Sequence, residues 1–212
     1  MKIDRAGYPF IAAALVPAAA LAASRRPRLA ASLALLGGFF AYFFRDPDRR
    51  IPAEPGLAVA PADGRVMFAG PADPRWAPPG AWQQVTIFLS PVDVHINRSP
   101  VAGRVTRVDY RPGKFLPAYH EGAGDNELNE IWVDHDGRPI VFRQVVGILA
   151  RRIVCRIGEG DVVNRGQRIG LMKFGSRMDV FLPEDAELLV ATGDRVVAGE
   201  TVIGRLRSGR AR

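Results

Sequence analysis

The chain has 212 residues, of which 48% are hydrophobic, so it is long enough for one ordinary domain and a short additional segment. Its net charge of +7 favours an anionic partner, and because the basic residues are scattered without an aromatic platform, we predict an anionic membrane surface and not nucleic acid. The single cysteine, Cys155, excludes an internal disulfide, and no Cys/His pair has zinc-site spacing, so we predict no metal.

Two apolar runs near the N-terminus, at positions 8–23 and 29–44, predict a membrane-associating segment over residues 1–50. A helix of either length reaches only about 24 Å, which is short of a hydrocarbon core of roughly 30 Å. Basic residues precede the first run, separate the two runs and follow the second. Because all three basic segments favour the cytoplasmic side, both a shallow helical hairpin and two short spans stay open. A cleaved signal peptide would explain only the first run, and a soluble buried helical hairpin is a further alternative.

The remainder, residues 51–212, is predicted to be a mostly β catalytic domain of the barrel-sandwich or β-sandwich type. Short runs rich in β-branched residues alternate with glycine and proline, which is typical of strands joined by tight turns. These runs lie at 85–89, 131–133, 140–142, 153–157 and 179–182.

Two segments of this domain, 160–170 and 193–204, read alike: each has Gly-Asp, then a valine, then a second glycine, and ends in Ile-Gly. This pattern predicts two compact hairpin units that pack around a shared core and resemble those of lipoyl and biotinyl carrier domains. Such carriers present a modified lysine beside a methionine, so Lys173, which follows Met172, is an alternative functional residue.

A glycine–serine pair, Gly175 and Ser176, offers a different chemistry. Glycine can adopt backbone angles that bring its carbonyl carbon close to the hydroxyl of the next residue, which can then attack that carbonyl. The attack needs a base for the hydroxyl proton and donors for the oxyanion. Asp63, in a tight turn at 61–64, and His95, after an apolar strand, are candidates, although a turn former and a structural histidine would look the same.

Four motifs in this order resemble those of the phosphatidylserine decarboxylase family, most closely its short bacterial and archaeal-type members. They cover nearly the whole chain, which makes their combination far more specific than any one alone. They are Phe-Phe-Arg-Asp-Pro at 43–47, Pro-Ala-Asp-Gly at 61–64, Asp-Val-His-Ile-Asn-Arg-Ser-Pro at 93–100 and Phe-Gly-Ser at 174–176.

The resemblance implies a proenzyme that cleaves itself between Gly175 and Ser176, leaving a large chain, 1–175, and a small chain, 176–212, that stay associated. Ser176 becomes a covalent pyruvoyl group, which serves as an electron sink so that phosphatidylserine loses carbon dioxide and becomes phosphatidylethanolamine. No diffusible cofactor and no metal are needed. The expected location is the cytoplasmic side of the cell membrane, as a peripheral or monotopic protein bound to an anionic bilayer, with homo-oligomerisation open.

The resemblance also implies site residues, with one departure. Many family members have a second histidine three residues after the first, as the usual partner of the aspartate and serine in self-cleavage. Arg98 occupies that position here and cannot act as a base. We therefore predict that His95 serves both cleavage and decarboxylation, that Asp63 orients it, and that Arg98 and His120 contact the substrate.

Two other classes of function compete with this interpretation. In one, Lys173 carries a biotinyl or lipoyl group; in the other, the protein is a non-catalytic module that binds a membrane surface through its basic residues. Neither alternative gives Asp63 or His95 a role, and both predict a single uncut chain.

Overall fold

The computed structural model describes residues 2–117, 125–147, 152–173 and 176–207. The chain divides into two compact units, Met1–Asp48 and Arg49–Arg212. The boundary predicted at residue 50 lies two residues later, so Arg49 and Arg50 belong to the second unit.

The first unit is a helical hairpin closed by a short strand pair. Its elements are β1 (Lys2–Ile3), a 3-10 turn (Arg5–Gly7), α1 (Tyr8–Ala23), α2 (Pro27–Phe43) and β2 (Arg45–Asp46). Each helix has a proline in its first turn, where the missing N–H costs nothing, and is otherwise rich in alanine and leucine. Since β1 pairs with β2, the two ends of this unit lie together and the Arg25–Arg26 turn lies at the opposite end.

The two helices pack closely where Gly37 meets Leu15: a Cβ atom on Gly37 would lie 2.5 Å from the Leu15 Cδ2 atom. The outer surface of the pair stays apolar, with exposed side chains at Tyr8, Val16, Leu29, Leu35, Phe39 and Tyr42. The segment Arg5–Ala23 is long and apolar enough to cross a membrane. An apolar surface of this kind, without a polar face, is evidence of membrane association.

The second unit consists of strands, which confirms the predicted mostly β domain. Its strands are β3 (Leu57–Val59), β4 (Gly64–Pro71), β5 (Trp82–Leu89), β6 (Ile96–Arg98), β7 (Gly103–Arg111), β8 (Leu128–His135), β9 (Arg138–Val146), β10 (Ile153–Cys155), β11 (Val162–Val163), β12 (Arg168–Met172), β13 (Ser176–Pro183), β14 (Glu187–Leu188), β15 (Arg195–Val196) and β16 (Val202–Arg205).

Eight of these strands form one curled antiparallel sheet in the order β11-β7-β8-β9-β13-β5-β4-β15. Two three-stranded sheets, β10-β12-β6 and β14-β16-β3, complete the unit. The alternation of side chains along the strands divides the large sheet into an inner face, which carries the main core, and an outer face. The inner face includes Ile87 and Met178, whereas Trp82 and Phe181 form a smaller cluster on the outer face.

The two similar segments seen in the sequence belong to two structurally equivalent repeats within the β domain. The first repeat joins residues 58–66 to 193–204, and the second repeat joins residues 97–105 to 160–170. Equivalent backbone hydrogen bonds recur in both: Val66 N to Asp194 O and Val105 N to Asp161 O, Gly193 N to Val66 O and Gly160 N to Val105 O, Gly199 N to Ala60 O and Gly166 N to Ser99 O. The two repeats also contact each other reciprocally: the backbone N–H of Arg98 donates to Pro61 O, and the backbone N–H of Val59 donates to Pro100 O.

One side chain, Ile51, lies where the two repeats of the β domain meet. A Cβ atom on Gly166 or on Gly199 would lie 2.3 or 2.8 Å from its Cδ1 atom. Both glycines have φ near +75°, at +74° and +78°, where other residues are strained. Glycine is therefore required twice, for the turn and for the close approach of Ile51.

Candidate active site

Strand pairing brings His95 and Ser176 to the same end of the β domain. In the β6–β12 pair, Ile96 lies opposite Leu171, so His95 lies level with the end of β12. Only residues 173–175 then separate β12 from Ser176, the first residue of β13.

Ser176 lies between two neighbouring strands, opposite Leu89 of β5 and Val146 of β9. It shares the inner face with Met178 and Val180 and is 0% exposed. Within the part of the chain that the structure describes, its hydroxyl oxygen is buried without a hydrogen-bond partner. A buried hydroxyl without a partner costs stability, so it points to a functional use of this oxygen.

His95 is 1% exposed and has a defined tautomer. Its Nδ1 atom lies 3.0 Å from the backbone carbonyl oxygen of Asp93, and because a carbonyl can only accept, Nδ1 carries the proton. In the neutral ring, Nε2 then has the lone pair that a base needs. The preceding turn is held by Asp93, whose carboxylate accepts hydrogen bonds from the backbone N–H and the hydroxyl of Ser90 at 2.8 and 2.6 Å.

The carboxylate of Asp63 binds Arg49, a residue that sequence reasoning did not select as part of the site. Arg49 Nη2 donates to the two carboxylate oxygens at 2.9 and 2.7 Å, and the Ala198 backbone N–H donates at 2.8 Å. Burial raises the pKa of Asp63 above its ordinary value, and the Ala198 N–H and the Arg49 charge offset this only in part. Among the described residues, Asp63 makes no hydrogen bond with His95, so its role in orienting His95 stays a prediction.

The remaining predicted site residues are Arg98, His120 and Gly175. Arg98 is buried, and its Nη1 atom donates to the Gly166 carbonyl at 2.8 Å, next to the junction at Ile51. Its contact with substrate therefore stays a prediction. His120 and Gly175 lie outside the described residues. Among those that are described, no cluster of three His, Cys, Asp or Glu residues could hold a metal ion.

Three buried amide side chains, which sequence reasoning missed, contact one another: two lie on the inner face of the large sheet, and Asn97 belongs to β6 of a three-stranded sheet. Asn129 Nδ2 donates to Gln144 Oε1 at 3.2 Å, and Gln144 Nε2 donates to Asn97 Oδ1 at 2.9 Å. Asn97 belongs to the 93–100 motif, but its partners are 32 to 47 residues away in the chain, so only the pairing of the strands reveals them.

Ser176 and His95 are both buried. Two concavities of the β domain lie elsewhere, one beside His135 and Arg207 and the other beside Trp76 and Arg177 on the outer face. Burial of the nucleophile suits a reaction in which the nucleophile and the bond it attacks belong to the same chain. The arrangement provides a buried hydroxyl, a histidine with a fixed tautomer and amide donors, which are the groups that acyl transfer requires.

Comparison with known proteins agrees with this chemistry. The family profile described as phosphatidylserine decarboxylase matches residues 36–204. Relatives named phosphatidylserine decarboxylase proenzyme include one from Symbiobacterium thermophilum, 53% identical over 207 residues, which cover 96% of this chain and 95% of the relative. Those from Solibacter usitatus and Desulfotalea psychrophila are 45% and 40% identical, with 97% of this chain and 97% of each relative covered. The chain therefore belongs to the phosphatidylserine decarboxylase family, as its motifs predict.

Proposed function

We propose that this protein is a proenzyme that splits itself between Gly175 and Ser176 and then converts phosphatidylserine to phosphatidylethanolamine and carbon dioxide. The observation that carries the proposal is the buried, unpartnered hydroxyl of Ser176 at the start of β13. The relatives, which are named as proenzymes of this decarboxylase over nearly the full length of the chain, support it.

In the first step, the Ser176 oxygen attacks the preceding carbonyl carbon and its proton passes to His95 Nε2. The new C–O bond forms as the carbonyl electron pair moves onto oxygen. Collapse then breaks the peptide C–N bond while His95 gives its proton to the leaving nitrogen, which leaves an ester and a free amine. Loss of the Ser176 α-proton then breaks the Cβ–O bond and releases the carboxylate of the large chain. Hydrolysis of the resulting dehydroalanine with one water yields ammonia and the pyruvoyl group.

The environment of Ser176 fits the pyruvoyl group that would form there. The side chain has no competing hydrogen bond in the described part of the chain, and its neighbours Leu89 and Val146 are apolar. When formed, this group supplies an electron sink for the departure of the substrate carboxylate. His95 would hold and return a proton at the same position, which would allow it to act in both cleavage and decarboxylation.

The two chains would stay together after cleavage because β13 is an interior strand. It pairs with β5 from Ser176 to Pro183 and with β9 from Ser176 to Phe181, and both partners belong to the large chain. Its core residues, such as Val180 and Leu182, are fully buried. Breaking this association would require unfolding the large sheet.

A phospholipid substrate and an apolar helical hairpin both support a location at a membrane. The basic residues at both ends of the hairpin would favour the anionic, cytoplasmic leaflet, with the protein held as a peripheral or monotopic enzyme. Homo-oligomerisation stays a prediction.

The direct test is a denaturing gel of purified protein. The natural chain should split into two polypeptides, whereas Ser176→Ala should stay at 23.1 kDa and lack decarboxylase activity, because it has no nucleophile. Ser176→Cys, which keeps a nucleophile, is the matched control and should still split. An uncut natural chain would instead favour a carrier domain or a binding module.

A further inference from the structure

The three buried amides near Ser176 form a relay that fixes the orientation of its last member. Asn129 binds Gln144, and Gln144 binds the side-chain oxygen of Asn97. The exposed fractions of the three residues are 4%, 0% and 0% in that order. Because the oxygen of Asn97 is held by Gln144, its NH2 group must point away from Gln144.

This NH2 group has no hydrogen-bond partner among the described residues. In the described part of the chain, Ser176 Oγ is likewise a buried polar atom without a hydrogen-bond partner. A buried amide donor without an acceptor is destabilising, and a leucine of similar size would avoid that cost, so the donor calls for a group that it serves.

The strand register places the relay near Ser176. Gln144 pairs with Met178, two residues after Ser176 on the same face of β13. Ser176 and Gln144 are thus diagonal neighbours, about 7–8 Å apart between backbones, a gap that a side chain reaching from Gln144 can span. Asn97 also follows His95 by two residues, so alternation puts both side chains on one side of β6.

Resting on the proposed function, we infer that the side-chain amide of Asn97 donates a hydrogen bond to the oxyanion formed when Ser176 attacks the preceding carbonyl. As the C–O bond forms, the carbonyl electron pair moves onto that oxygen, and a prepositioned N–H donor stabilises the developing charge. The relay supplies the positioning: Gln144 and Asn129 hold the amide without touching the reacting atoms, and so act as positioning residues.

The test measures the rate of chain splitting in the full-length protein on a denaturing gel. Asn97→Leu keeps the approximate volume but removes the donor, and it should slow splitting by about 10²- to 10³-fold, the usual effect of losing an oxyanion donor. Gln84→Leu is the matched control, because it removes a partly buried amide from the outer face of the large sheet, where Gln84 Nε2 donates to Thr86 Oγ1, and it should split at close to the natural rate. A folded Asn97→Leu protein that splits as fast as the natural chain would overturn the inference.

A second readout separates a catalytic from a merely structural role. Hydroxylamine cleaves esters, so it splits any molecules that have stopped at the ester stage. Asn97→Leu should gain no splitting on its addition, because the defect precedes the ester. Extra splitting would place the defect in the later elimination and contradict the inference.

If Asn97→Leu does not fold, Asn97→Ser and Asn97→Ala decide, since both remove a similar volume and only the first keeps a donor. The hydroxyl variant should split at least about tenfold faster, and equal rates would overturn the inference. A natural chain that never splits would instead defeat the proposed function itself, so the two failures are distinguishable.

Discussion

The two repeats of the β domain have the same backbone arrangement but carry different polar side chains. Both place a glycine against the carbonyl of a neighbouring strand: a Cβ atom on Gly64 would lie 2.0 Å from the Phe88 oxygen, and one on Gly103 would lie 2.2 Å from the Asp134 oxygen. Just before these glycines, the first repeat has Asp63 and the second repeat has Ala102. The turn therefore needs only the glycine, and the carboxylate is an addition to one copy.

In the first strands of the two repeats, it is the second repeat that carries the polar side chain. The reciprocal bonds of Arg98 and Val59 make Asn97 equivalent to Ala58, and both are 0% exposed. The second repeat thus provides Asn97, with His95 two residues before it, while the first repeat provides Asp63. Neither repeat contains the whole set of candidate groups.

The largest effect should come from removing His95, which lies just before the second repeat. His95→Ala should slow chain splitting by about 10²- to 10⁴-fold, the usual range for loss of a general base. His135→Ala is the matched control, because His135 also binds a backbone carbonyl, that of Ala102 at 2.7 Å, but lies at the end of β8. Normal splitting of His95→Ala on a denaturing gel would confine His95 to the decarboxylation step.

A smaller effect should follow from neutralising Asp63. Asp63→Asn should slow splitting, but by less than His95→Ala, because the carboxylate acts on the base and not on the reacting atoms. An asparagine at the equivalent position of the second repeat, Ala102→Asn, should leave the splitting rate unchanged in protein that folds. Equal splitting of Asp63→Asn and the natural chain would limit Asp63 to its structural bonds with Arg49 and Ala198.

Arg49→Gln should show its effect in stability and in its pH dependence. The folded-state pKa of Asp63 is raised above 3.8, so the stabilising contribution of this group is full below that value and is lost as the pH rises through the folded-state pKa. Removing Arg49 takes away a charge that lowers this pKa, so ionised Asp63 becomes more costly. We expect a loss of about 1–3 kcal/mol in the free energy of unfolding near neutral pH.

The loss from Arg49→Gln should be smaller at pH values near 3.8, where Asp63 is largely protonated. Denaturant unfolding at the two pH values measures the difference. Arg50→Gln is the control, because Arg50 is exposed and its described bond to Glu200 uses the backbone N–H. Equal losses at both pH values would mean that Arg49 does not act through the charge of Asp63.

The smallest effect on splitting should come from deleting residues 2–44. The candidate groups all belong to the unit Arg49–Arg212, which has its own core. The truncated protein should therefore split at the natural rate while losing its association with phospholipid vesicles. A folded but uncut truncated protein would show that the hairpin contributes to the reaction.

The sequence predicted the strands, the repeated unit and the family because these depend on local patterns and ordered motifs. The run at 153–157 was only partly right, since β10 ends at Cys155. What could not be predicted depends on contacts between distant residues. Arg49 reaches Asp63 across a turn, and the amide relay of Asn97, Gln144 and Asn129 exists only because β6 lies over β8 and β9.

The most direct test of the account is the mass of the small chain after purification. If Ser176 is converted as proposed, the fragment 176–212 should be lighter by one ammonia than a peptide that begins with serine, and its blocked N-terminus should react with a carbonyl reagent. A fragment with an intact N-terminal serine would indicate ordinary proteolysis, and a single uncut chain would indicate no processing. Either result would contradict the assignment of Ser176 as the source of the catalytic group.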